Sequence, residues 1–260
     1  MNKIGIYHVQ LKTLYHGCYS THVYLFLSEM SRRGRRLSRG LRRKPDRFLR
    51  ARLPEISWKN CTKQRLIKIW DHEYTNGNVR YSELGILAAL AADCRAGSNL
   101  FEIGTFDGRT TLNLAMNAPA ECMVYTLDLP PDLETKLPLA SGEQHMIDKP
   151  QSGLRYEAYR QTHPALIGRV HQLLGDSAAF DYSPYKDTCS LIFVDGSHSY
   201  DYEMSDTRAA MDMVESGGVV IWHDYGIWED VNKALEELDK QEGYGLSNIS
   251  GTTLVYWRKP

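Results

Sequence analysis

The stretch Asn99-Leu-Phe-Glu-Ile-Gly-Thr-Phe-Asp-Gly-Arg-Thr-Thr-Leu-Asn-Leu-Ala115 constrains the fold more than any other. An apolar run leads to Glu102, glycines follow at Gly104 and Gly108, and a helix-like segment runs from Thr110 to Ala118. The order is strand, tight turn, helix. Glycine reaches backbone angles closed to other residues and lets a ligand approach the main chain. The helix N-terminus beyond the turn offers N–H groups to a polar ligand. Glu102, at the strand's carboxyl end, offers acceptors to the crevice where open α/β sheets bind their ligands.

The spacing separates two nucleotide-type ligands. A dinucleotide fold needs Gly-x-Gly-x-x-Gly, and here Phe106 takes the place of the glycine that lets a pyrophosphate come close. Gly104-x-x-x-Gly108 preceded by Glu102 resembles motif I of the class I S-adenosylmethionine (SAM) methyltransferases. A plain strand-turn-helix of any α/β protein carries the same residues, so the rest of the chain has to decide.

Charge divides the chain. Residues 1–52 hold 13 Lys+Arg and 2 Asp+Glu, whereas residues 53–260 hold 18 and 30. We therefore expect a basic, flexible N-terminal arm over 1–52 and a globular domain over 53–260. The arm could touch nucleic acid or an anionic membrane surface, although only Phe48 accompanies its charges as a stacking group. Met30 opens the basic segment and is a candidate start of the working protein. Five scattered cysteines without a Cys-x-x-Cys pair favour a reducing compartment, and we expect a cytoplasmic protein. No apolar run approaches the roughly 20 residues of a membrane-spanning helix.

Along the chain, residues 60–74 read as a helix with Leu66, Ile67, Ile69 and Trp70 on its apolar side. Residues 81–94 read as a stronger one, with Ser82 as N-cap and Leu84, Leu87, Leu90 and Ala91 inward. Strand 99–103 and helix 109–117 follow, then a strand from Cys122 to Leu129. That strand carries Asp128, an acid placed to take the ribose hydroxyls of a nucleoside. Residues 129–168, interrupted by five prolines, read as a lid or substrate-binding insertion in which Arg155, Tyr156, Tyr159 and Arg160 could face a substrate. A strand over 169–174 leads to Asp176-Ser177, where a polar residue can reach the exocyclic amine of an adenine. A strand over 190–194 ends in Asp195-Gly-Ser-His198, with a helix over 201–214. A strand over 219–222 ends in His223-Asp224, with a helix over 228–240 and a closing pair of strands over 246–249 and 253–257. The alternation predicts a doubly wound, Rossmann-like α/β domain, its mostly parallel seven-stranded sheet covered by helices on both faces.

Adjacent parallel strands bring Asp195 and His223-Asp224 to one edge. Two carboxylates in a cleft repel unless a cation or a shared proton intervenes. A divalent cation, Mg²⁺ first, is the expected occupant, with His223 as a further ligand or a partner behind the ligands. His198 is the expected base, helped by Asp195.

Glu-Ile-Gly-Thr-Phe-Asp-Gly, Phe-Val-Asp-Gly-Ser-His-Ser-Tyr and Gly-Gly-Val-Val-Ile-Trp-His-Asp-Tyr resemble the SAM methyltransferase group that includes macrocin-type sugar O-methyltransferases and cephalosporin hydroxylase-like proteins. The resemblance covers about residues 80–258. It implies that Glu102, Gly104, Asp128 and Asp176 bind SAM and that Asp195 and Asp224 hold a metal. Thr105, Phe106, Gly108 and Ser177 complete the expected cofactor contacts. The chain departs from metal-dependent members by carrying His223 where they have a second acid, and Ser197 where many have one. The expected activity is methylation of a hydroxyl on a sugar or other small polar metabolite. The rivals are a nicotinamide-dependent oxidoreductase, which the missing glycine and the lack of a Tyr-x-x-x-Lys pair disfavour, and a nucleic-acid binder using the basic arm. A homo-oligomer is left open.

Overall fold

In a computed structural model, the structure describes residues 52–143 and 151–260 and the backbone of Val23–Phe26. In chain order the strands are β1 (Val23–Phe26), β2 (Glu55–Ile56), β3 (Leu66–Ile69), β4 (Asn99–Ile103) and β5 (Met123–Asp128). They continue as β6 (Val170–Leu174), β7 (Cys189–Val194), β8 (Val214–Trp222), β9 (Ser247–Ile249) and β10 (Val255–Arg258). Strands β2 and β4 to β10 form one sheet in the order β2-β9-β10-β8-β7-β4-β5-β6. The core β8-β7-β4-β5-β6 is parallel, and β10 runs antiparallel to both its neighbours. The sheet has eight strands rather than the expected seven because β2 adds to β9 at the edge.

Register explains why the site forms. Ile103 lies opposite Leu127 of β5 and Val194 of β7, and Val194 lies opposite Trp222 of β8. The next residue on each strand is therefore level with the others: Gly104, Asp128, Asp195 and His223. Side chains alternate across the sheet. Leu100, Leu191, Phe193 and Ile221 face the helices Tyr81–Ala92 and Arg109–Asn117, packing with Leu84, Leu87 and Leu112. Phe101, Ile103, Ile192, Val194 and Trp222 face the helices Tyr200–Met213 and Glu229–Glu242, packing with Met213, Val231 and Leu235. Each such buried side chain is worth roughly 1.5–3 kcal/mol, so the sheet is a rigid platform for what stands on its edge.

Three expectations are corrected. The helix over 60–74 is instead a single turn, Trp58–Cys61, followed by β3, in which Leu66 and Lys68 are exposed while Ile67 and Ile69 are buried. That alternation is a strand's period, and it pairs with β1. Ser82 is not the N-cap of its helix. Arg80 holds that place, and the Glu83 side chain accepts its backbone N–H. Arg155 and Tyr156 are used inside the fold. Arg155 binds Asp71 and Asp107, and Tyr156 is buried against Gly108 and donates to Gln172. The basic run over residues 31–51 lies outside the described residues.

Candidate active site

The turn after β4 is shaped by contact with the neighbouring strand. Gly104 has φ +99, and a Cβ there would lie 1.9 Å from the carbonyl oxygen of Asp195. No side chain fits, so the glycine turn is pressed against the β7 main chain. The sequence-based reason for Gly104, approach of a ligand, is thus joined by a stricter one. Gly108 caps the helix Arg109–Asn117 at φ +86 with Tyr156 against it.

Glu102 is buried. Its Oε2 accepts hydrogen bonds from the hydroxyls of Thr111 and Thr126, the latter at 2.6 Å, and its Oε1 has no partner among the described residues. Burial pushes its pKa up to about 8 against the pull of the two hydroxyls, with Asp195 and Asp128 adding to the rise. Thr105 bonds Thr126 at 2.7 Å and accepts from Gln172 at 3.0 Å. Glu102, Thr105 and Gly108 therefore stand behind the pocket wall.

The wall encloses about 850 Å³, counted to its open mouth, and it lies over the carboxyl ends of β4, β5, β6 and β7. Phe106 (φ +49), Asp128, Asp176 and Ser177 line it as expected, together with Asp195, His198 and Asp224. Asp128 accepts from the Leu129 N–H at 3.1 Å and from the Ser152 hydroxyl. Asp176 accepts from the Lys136 N–H, from the Ala178 N–H at 2.9 Å and from the Tyr202 hydroxyl at 2.9 Å. These bonds fix the insertion to the strand end. Thr135, Leu139 and Glu143 of the insertion reach the pocket itself.

The other half of the rim is built of charges. Asp195 Oδ1 is 2.9 Å from His223 Nδ1, which is also 3.4 Å from Asp224 Oδ1. Behind it, His223 Nε2 is 3.5 Å from Glu83 Oε2, and Glu83 also accepts from the Thr253 N–H and hydroxyl. Burial would raise the pKa of Glu83, but hydrogen bonding with His223 holds it at about 2. His198 lies flat on Trp228 with ring centroids 4.5 Å apart. Its Nε2 is 2.6 Å from Asp224 Oδ2, and its Nδ1 and backbone N–H both bond Glu143 Oε1. Burial alone would lower the pKa of His198, yet Asp224 and Glu143 raise it to about 10. Asp224 is held well below the usual carboxylate range by the two imidazoles, overcoming its burial, and it sits in the left-handed region at φ +60.

This arrangement alters the roles expected for the histidines. With a carboxylate on each ring nitrogen, His198 has no open nitrogen with which to begin as a base. Asp195, His198 and Asp224 each offer a ligand atom, all within 4.8 Å of one another. His198, not His223, thus completes the trio, and His223 backs the two acids. Glu143 and Glu83 are the residues the sequence did not reveal. Glu143 sits in an irregular insertion without a motif, and Glu83 is one polar residue on a helix of apolar spacing.

Comparison with known proteins agrees with the geometry. Residues 101–225 match the family described as a methyltransferase domain. The fold is similar to that of the O-methyltransferase NovP, at 19% identity over 68% of this chain and 79% of that one, with a TM-score of 0.53. It is also similar to CalS11, a calicheamicin methyltransferase, at 14% identity over 68% and 77%, with a TM-score of 0.51. Among curated proteins, no sequence match is found.

Proposed function

We propose that the chain, whose residues 101–225 match the family described as a methyltransferase domain, is a class I, SAM-dependent methyltransferase whose methyl acceptor is a hydroxyl of a sugar or other small polar metabolite. The observation that carries this reading is the charge of the pocket wall. Asp128, Glu143, Asp176, Asp195 and Asp224 line it, with no lysine or arginine among the described lining residues. A dinucleotide would bring a pyrophosphate dianion against those acids. SAM brings a sulfonium cation and two ribose hydroxyls, which suit carboxylate acceptors.

When bound, SAM supplies an activated methyl group on sulfur. Asp128 is placed to accept both ribose hydroxyls, Asp176 and Ser177 to line the base end, and the Gly104–Gly108 turn to hold the remainder. An acceptor hydroxyl at Asp195 has to lose a proton. Asp195 is the acid placed to accept it, and the connected set His223–Asp224–His198–Glu143 behind it holds that carboxylate in place. Oxygen as the acceptor agrees with this acid-rich rim and with the O-methyltransferase that shares the fold. A divalent cation held at Asp195 and Asp224, Mg²⁺ in the sequence-based expectation, would supply positive charge to the hydroxyl oxygen. Four described cysteines (61, 94, 122 and 189) are free and buried, which suits a reducing compartment such as the cytoplasm.

The test is calorimetry of the full chain with SAM and, separately, with NAD. Binding of SAM and not of NAD is the expected result; NAD binding alone would replace the reading with hydride transfer.

A further inference from the structure

We propose that Arg155 is a positioning residue of the cofactor pocket: its guanidinium clasps the segment 71–79 across the glycine turn, and release of that clasp opens the path by which the cofactor exchanges. The inference rests on the methyl-transfer reading for the identity of that cofactor as SAM. The Arg155 side chain is only 14% exposed, and its guanidinium serves four acceptors. Nε faces Asp107 Oδ2 at 2.9 Å. Nη1 donates to Asp71 Oδ1 at 2.9 Å and to the Glu73 carbonyl at 2.6 Å, and Nη2 donates to the Thr75 hydroxyl. The Arg155 N–H donates to the Asp107 carbonyl at 2.9 Å, and the Gly153 N–H donates to the Phe106 carbonyl at 3.0 Å. One residue thus ties together the segment 71–79, the turn 104–108 and the start of the short helix Leu154–Glu157.

Two of the tied segments are pocket wall, since Gly77 lines the cavity beside Gly104 and Phe106. The ends of 71–79 are anchored from below. Arg109, fully buried, donates from Nε to the Asp71 carbonyl at 3.1 Å and from Nη1 to the Val79 carbonyl at 3.0 Å. Between those anchors residues 72–76 are exposed, Tyr74 among them. The middle is therefore held by polar ties: Arg155 on Glu73 and Thr75, and the Asn78 amide on the Asp107 carboxylate at 3.0 Å. A segment with fixed ends, little buried apolar surface and a partly exposed ion pair at its middle opens locally, well below the cost of global unfolding.

The backbone is set to move when the clasp lets go. Asp71 (φ +51) and Phe106 (φ +49) are two of the four non-glycine residues at positive φ among the described residues. Such angles are unfavourable for a side-chain-bearing residue and persist where the surroundings over-determine them. Arg155 restrains Asp71 through its carboxylate, and the adjoining Gly153 N–H restrains Phe106 through its carbonyl. Releasing the guanidinium loosens both, and Gly77, at φ +99, supplies a hinge inside the segment.

The test measures SAM exchange on the full chain by stopped-flow fluorescence. Arg155→Met keeps the stem and removes the clasp. Association and dissociation should both quicken, dissociation by at least about tenfold, the worth of one hydrogen bond to a charged group. Arg155→Lys, with the charge but not the fork, should fall between. Salt should speed dissociation from the native chain by screening the pairs with Asp71 and Asp107, and Arg155→Met should lose that dependence. Faster dissociation with slower association would mean that Arg155 merely props the wall, and unchanged rates would mean that the segment does not gate; either result overturns the proposal. Hydrogen exchange is read on the same proteins without SAM. Amides 72–78 should exchange faster in Arg155→Met while those of β4 and β7 stay protected, and equal exchange in both proteins overturns the clasp. If Arg155→Met does not fold, Asp71→Asn, which spares the Asp107 pair, takes the same readings with a smaller expected change. If SAM fails to bind the native chain in calorimetry, the methyl-transfer reading fails, and hydrogen exchange alone decides the clasp.

Discussion

The two halves of the rim use acids in opposite ways. Over β4, β5 and β6, carboxylates meet neutral partners: Glu102 with Thr111 and Thr126, Asp128 with Ser152, and Asp176 with Tyr202 and two backbone N–H groups. Over β7 and β8, they meet imidazoles: Asp195 with His223, and Asp224 with His198. Hydroxyl and amide partners leave Asp128 and Asp176, the two of these acids that line the pocket, able to offer acceptors to a ligand that carries its own positive charge. Ion pairs keep the second half charged without a ligand, ready to handle a proton. On the proposed function, the difference teaches that cofactor capture and acceptor chemistry would be separable properties of one edge, and four measurements can break or sharpen that division.

The largest effect is expected where the halves touch. Gly104→Ala places a methyl 1.9 Å from a carbonyl oxygen at φ +99, and should cost more than about 4 kcal/mol in urea unfolding. A loss under about 1 kcal/mol would mean that the turn can leave β7. Next comes pH. Between 4.5 and about 8 the unfolded chain has released the Glu102 proton that the folded chain keeps, so stability falls as pH rises through that window, by up to about 4 kcal/mol. Glu102→Gln should flatten the fall. His198 shifts stability in the same direction but over a higher window: its contribution is full below 6.5 and is lost as pH rises through about 10. Unfolding midpoints between pH 5 and 10 separate the two halves, and parallel pH curves for native and Glu102→Gln proteins would count against the contrast.

Third, Asp128→Ala should weaken SAM by about 10–100-fold while leaving the acceptor KM within about threefold, since a hydrogen bond to a charged group is worth about 1.5–3 kcal/mol. A shift in acceptor KM of equal size would merge the halves. The smallest effect is Thr126→Val, which removes one donor from Glu102 and one contact from Thr105. A loss of about 1 kcal/mol is expected in thermal unfolding, with turnover unchanged.

The halves also differ in how much of each the sequence exposed. Glu102, Gly104, Gly108 and Asp128 fall on a strand, its turn and the next strand, so local spacing carries them. The second half draws on Glu83, Glu143, Asp195, His198, His223 and Asp224, from four separate segments. Asp195, His198, His223 and Asp224 end strands and were visible as such. Their pairing was not, because it depends on register: Val194 opposite Trp222 sets Asp195 beside His223. Glu83 and Glu143 came from places where polarity alone signalled nothing. The strand Leu66–Ile69 was concealed for a different reason. Four residues fit either period, and only the exposure of Leu66 and Lys68 decides between them.

One consequence follows from residue 104 lying directly on the carbonyl of residue 195. On the proposed function, the gap that a transferred group must cross, from the donor's seat to the recipient's, would be set by two stretches of main chain with nothing interposed. Side chains lining either seat can be exchanged for a different alcohol without resetting that ruler. Diversification of such a scaffold is therefore free to alter what is methylated while the reach of the transfer stays constant.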